Sequence, residues 1–61
     1  MEVLKNLVTN ETFETVDSVL TTYEDALKDT NWIIENMYDV AFALNELDLY
    51  GCGTSFAVLE G

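Results

Sequence analysis

The sequence predicts a mainly α fold: a two-helix antiparallel hairpin with short terminal segments able to pair as strands. Apolar residues recur in steps of three and four over two long stretches, and the chain contains no proline. All three glycines, at 51, 53 and 61, fall near the C-terminus, so nothing punctuates the middle.

Taken in order, residues 2–8 read in two ways: a short helix with Met1, Leu4 and Val8 on one face, or a strand. The first stripe, Phe13, Val16, Leu20, Tyr23 and Leu27, predicts a helix over about 11–29, with Asn10 as N-cap and Glu11 at the positive end of the dipole. The junction KDTN holds two polar turn-formers, Thr30 and Asn31, and predicts a break. The alternative is one long helix running through Thr30, Ile34, Met37, Ala41 and Leu44, which would make dimerisation nearly obligatory.

A second stripe, Ile33, Met37, Val40, Leu44 and Leu47, predicts a helix over about 32–49. Thr30 or Asn31 would cap it, and Gly51 stands where a C′ glycine belongs. After the flexible GCG, residues 54–60 read as extended. Pairing with residues 2–8 would satisfy both ends, with strand exchange between two copies as the other solution.

Sixty-one residues make a single small domain, since a chain of this size buries only about 60% of its unfolded surface. Such domains commonly rely on a staple or a second chain. Cys52 is the only cysteine and there is no histidine, which excludes an internal disulfide and a thiolate or imidazole zinc site. No cofactor is expected. A hydrophobic share of 49% marks a folded chain rather than an acidic tail.

Charge is the dominant signal. Twelve Asp and Glu face only Lys5 and Lys28, for a formal net charge of −10. Self-repulsion at that density costs stability, so a use for it is expected. Direct nucleic-acid binding is opposed, because two cations cannot meet a run of phosphates. On a helical wheel Glu14, Asp17, Glu24, Asp25 and Asp29 fall on one arc, with Glu11 at its edge and Thr12, Thr15 and Thr22 on the other solvent arc. Glu35, Asp39 and Glu46 lie opposite the core stripe of the second helix, a row of about 17 Å. Such rows coarsely match the phosphate charge of DNA, one per ~3.4 Å of axis on each strand.

Phe42 stands at the centre of this second acidic face with Tyr38 on its flank. Either the terminal segments cover it, through Phe56 or Leu4, or it anchors a partner. Trp32 poses the same alternative. The expected partner-binding set is Glu14, Asp17, Glu24, Asp25, Glu35, Tyr38, Asp39, Phe42 and Glu46.

Enzymatic motifs are not found. A calcium loop from Asp48 would put Tyr50, Cys52 and Leu59 at ligand positions, and one from Glu24 would put Ala26 there. Cys52 lacks a base to activate it. The stretch VDSVLTTYEDAL is similar to the Asp-Ser-Leu signature of acyl carrier proteins, but Asp17 and Ser18 stand inside the apolar stripe rather than at a helix start. The longest unbroken apolar run is Val40 to Leu44 and no basic, apolar leader is seen, which predicts a cytoplasmic protein.

The segment NMYDVA, Asn36 to Ala41, followed by a leucine-rich turn into glycine, resembles a helix segment of ArdA-type antirestriction proteins, acidic DNA mimics carried by mobile elements. The likeness covers six residues, and no functional residue is transferred from it. Charge and resemblance together predict a non-enzymatic inhibitor, a DNA mimic of a phage or mobile element. Its partner would be a basic nucleic-acid-binding protein: a nuclease, CRISPR effector, restriction enzyme or polymerase. The alternatives are a homodimeric assembly module and an antitoxin-like protein masking a basic toxin.

Overall fold

The computed structural model describes residues 1–31 and 33–60; Trp32 lies outside the described residues. The order of elements is β1 (Glu2–Asn6), β2 (Thr12–Phe13), α1 (Val16–Thr22), α2 (Glu24–Leu27), α3 (Met37–Leu47) and β3 (Phe56–Glu60). The strands form one antiparallel sheet in the order β2-β1-β3. The architecture is therefore α+β, which corrects the mainly α hairpin. The two terminal segments pair within the chain, Glu2 opposite Glu60 through Asn6 opposite Phe56, and place β1 at the centre of the sheet.

The expected helix over 11–29 fails at its start and in its middle. Thr12 and Phe13, β-branched and aromatic, pair instead with Lys5 and Leu4 as a strand. Asn10 does not cap a helix; it occupies the β1–β2 turn with φ 68°, a left-handed conformation that Asn tolerates. Thr15 is the N-cap, its hydroxyl accepting from the Ser18 N–H at 3.1 Å. The helix then breaks at Tyr23 (φ −108°, ψ 29°) before the single turn of α2.

The second helix is also shorter than expected. It starts at Met37 rather than 32, because Asn36, not Thr30 or Asn31, is the cap: its Oδ1 accepts from the Asp39 N–H at 3.0 Å. Asp39 Oδ2 in turn accepts from the Glu35 N–H at 2.9 Å, a reciprocal arrangement akin to a capping box. Ile33, assigned to the second core stripe, is 82% exposed. At the other end the cap is Asp48, left-handed with φ 50°, and Gly51, also left-handed with φ 68°, follows three residues later in the loop.

The helices share one face of the sheet. Leu4, Phe13 and Phe56 meet Val19, Met37, Val40, Ala41 and Leu44 in the core, with Val16, Leu20, Tyr23, Leu27, Ile34, Leu47 and Val58 packed around it. Residues opposite one another in the register share a face, so Val3, Lys5, Thr12, Ala57 and Leu59 point the other way, and none of them is buried.

Two asparagines join these layers. Asn6 is fully buried: its Oδ1 accepts from the Val8 and Thr9 N–H groups at 2.9 and 3.2 Å, and its Nδ2 donates to the hydroxyls of Tyr23 and Tyr50 at 2.9 and 3.0 Å. Rings of Phe13, Tyr23, Phe56 and Tyr50 stack edge-on or tilted around this amide, at centroid distances of 5.4 to 6.2 Å. Asn45 of α3 accepts from the Ser55 and Phe56 N–H groups, both at 2.9 Å, and donates to the Phe56 carbonyl at 3.1 Å. The Ser55 carbonyl accepts from the Leu7 N–H on the β1 side. Alternate residues of a strand point their polar groups to opposite sides, so Asn45 occupies the outer edge of β3 where a fourth strand would begin. Among the described residues no helix is long and apolar enough to cross a membrane.

Candidate partner-binding surface

The nine expected residues separate into three groups by local structure. Glu14 lies in the β2–α1 connection, Asp17 in the first turn of α1, and Glu24 and Asp25 in the only turn of α2; all four are exposed. Asp17, Glu24 and Asp25 therefore sit at helix N-termini, where a carboxylate is favoured by roughly 0.3–1 kcal/mol. Their placement has an ordinary structural cause. The continuous acidic arc expected on the helix over 11–29 does not form, because Glu11 and Glu14 precede α1 and Tyr23 interrupts it.

Glu35 and Asp39 form the second group. Glu35 is exposed but precedes α3, so the 17 Å helical row from Glu35 to Glu46 does not exist. Asp39 is half-buried, and its carboxylate is committed to the N-terminus of α3 through the Glu35 N–H.

The third group is a stripe along α3: Tyr38, Phe42 and Glu46, at successive i, i+4 positions. It spans ~12 Å at 1.5 Å rise per residue. Tyr38 is 47% exposed and Phe42 56% exposed, while Phe56 and Leu4, the residues expected to cover Phe42, are buried in the core instead. The Tyr38 hydroxyl donates to Glu60 Oε1, and Glu60 stands opposite Glu2 across the β1–β3 ladder. This hydrogen bond, some burial and the charges of Glu60 and Glu2 push the Tyr38 phenol up to about 12. Glu2 and Glu60 thus extend the stripe at one end, a contribution that no local pattern in the sequence signals because it depends on pairing of the two termini.

At the other end Phe42, Asn45 and Glu46 line an open groove of about 370 Å³, whose far wall is Gly53 and Thr54. That wall is held in place: the Gly53 N–H donates to Asp48 Oδ1 at 2.9 Å, and Asn45 fixes the next two residues. Gly53 has φ 78°, which a side chain would strain. Glu46 occupies the last turn of α3, the negative end of the dipole, and is exposed. Helix stability disfavours an acid there, so its position has no structural cause of the kind found for Asp17 or Asp39.

Asn45 and Tyr38 both reach β3, so the stripe faces the β3 edge. α1, which packs on β2, lies on the other side of α3. The acids of α1 and α2 are accordingly separate from the stripe. Cys52 is exposed in the loop beyond α3, its thiol donating to the Tyr50 carbonyl at 3.4 Å. Among the described residues, no three carboxylates or thiols converge as a metal site would require. Compared with family models, curated proteins and solved structures, the chain finds no match.

Proposed function

We propose that this protein is a non-enzymatic inhibitor that occupies the basic, nucleic-acid-binding surface of another protein, its carboxylates standing where phosphates would. The observation that carries the reading is Phe42: a phenylalanine 56% exposed on the same helical stripe as Glu46, in a chain of net charge −10. An exposed aromatic framed by charge supplies both parts of an interface. The ring supplies burial and slow release, and the carboxylates supply steering and selectivity. Nucleases, CRISPR effectors, restriction enzymes and polymerases all present basic grooves of the required kind, and a basic toxin masked by this chain would use the same physics.

Competition tests the reading. Purified members of these four classes, each loaded with labelled duplex DNA, are titrated with the protein at low and high salt. Displacement of DNA from at least one, weakened by salt and by Phe42→Ala, is the expected result. If none releases DNA at any salt concentration, the proposal fails.

A second reading, a self-associating assembly module, is favoured by one observation. Among the described residues, no helix or strand covers the outer face of the sheet, which carries the partly buried Val3, Lys5 and Ala57 and the half-exposed Leu59. Mass in solution separates the two: a tight dimer that keeps its function when the acids are changed to amides would support the module.

A further inference from the structure

We infer that the groove between Phe42, Glu46 and the Gly53–Thr54 wall seats an arginine side chain of the basic partner, rather than receiving basic charge at large; this rests on the function proposed above. Three features select arginine. Phe42 offers a ring more than half exposed, against which a flat guanidinium stacks better than a compact, strongly hydrated ammonium. Glu46 lines the same groove and presents a carboxylate that the guanidinium fork meets with two parallel hydrogen bonds. Asn45 and Thr54 complete the lining.

Space and rigidity fit the same occupant. The groove, about 370 Å³, lies at the small end of ligand sites and has room for one long side chain with its waters. Its far wall is pinned by Asp48 and Asn45, so little order has to be imposed on binding. The position of Glu46 at the unfavourable end of α3 is then explained by what it binds.

Two capped peptides of equal charge, hexa-arginine and hexa-lysine, test this by titration into the ¹⁵N-labelled protein at low salt. Hexa-arginine should bind about three- to tenfold more tightly, with amide shifts centred on Phe42, Glu46, Gly53 and Thr54. Phe42→Leu keeps the apolar bulk but removes the ring, and should abolish the preference by weakening hexa-arginine more than hexa-lysine. Thr54→Leu, which fills the groove from its far wall without adding a ring, should also abolish the preference and decides the matter if Phe42→Leu does not fold. Equal affinity for the two peptides, or a preference that survives both variants, overturns the arginine seat but leaves the broader proposal standing. Failure of both peptides to bind overturns the two together.

Discussion

Asn45 holds Phe56 by both of its backbone groups, accepting from the N–H at 2.9 Å and donating to the carbonyl at 3.1 Å. A side-chain amide here does the work of a neighbouring strand, blocks the outer edge of β3, and fastens α3 to the sheet. Asn45→Ala would strand three backbone groups, those two and the Ser55 N–H. A loss of roughly 2–4 kcal/mol in denaturant unfolding is expected from the usual penalty for unpaired polar groups. Asn45→Asp, which keeps the acceptor, should lose less. Equal losses for the two would mean that the acceptor contributes nothing.

Asn6 uses its whole amide: two N–H groups of the turn on Oδ1, two tyrosine hydroxyls on Nδ2. Asn6→Asp retains the acceptor, loses both donors, and puts a carboxyl at a fully buried position. Burial raises a carboxyl's pKa, so the variant's folded-state value lies above its unfolded one, and its stability should rise as pH falls through that window. Asn6→Leu should be destabilised with no such pH dependence. Parallel pH profiles for the two variants, followed by thermal unfolding, would contradict this account.

Ser55 is the opposite case. Its hydroxyl is buried and has no hydrogen-bond partner among the described residues, while its backbone N–H is held by Asn45. Removing an unsatisfied polar atom relieves its desolvation, so Ser55→Ala should be neutral or more stable by about 1 kcal/mol. A clear loss in Tm would show that the hydroxyl has a partner in solution.

How much of this was legible in the sequence depends on how far each contact reaches along the chain. The second stripe is real from Met37 onward: Met37, Val40 and Leu44 are buried and Leu47 packs beside them. Phe13 and Tyr23 also belong to the core, but one reaches it from a strand and the other from a helix break, because Leu4 and Asn6 lie where those side chains can meet them. Steps of three and four do not distinguish these routes. Cap choice failed for a related reason: Asn10, Thr15, Asn31 and Asn36 are all chemically competent, and packing of Val19 and Met37 decides which one stands at a helix start. Charge was read correctly as a total and incorrectly as a row. Of the expected site, the structure keeps Tyr38, Phe42 and Glu46 together, gives Asp39 a capping duty, and adds Glu60 through a pairing of the termini.

Tyr38 should titrate late. Its phenol, pushed up from 10.0 to about 12 mainly by the hydrogen bond to Glu60, favours the neutral form in the folded protein. A raised folded-state pKa contributes stability that is fully present below pH 10 and is lost as pH rises through 12. The phenolate absorbance that disappears in Tyr38→Phe should therefore show a midpoint near 12. Glu60→Gln should move it down toward 10. Tyr23, raised chiefly by burial, should be unmoved by Glu60→Gln. A Tyr38 midpoint near 10 in the unaltered protein would mean that the hydrogen bond is not populated.

If the two acidic regions have different causes, they should also have different kinetic effects on the basic partner identified by DNA displacement. Asp17, Glu24 and Asp25 lie on α1 and α2, away from the stripe on α3, and on the proposed reading would contribute charge without contact. Changing all three to amides should slow association severalfold at low salt and leave dissociation nearly unchanged, since steering acts before docking. Phe42→Ala should do the reverse, raising the dissociation rate about tenfold or more, because a buried aromatic anchor acts after docking. Stopped-flow association across a salt series measures both rates. A triple amide variant that dissociates as fast as Phe42→Ala would place the α1 and α2 acids in the contact itself, and the anchor would then be a different part of this surface.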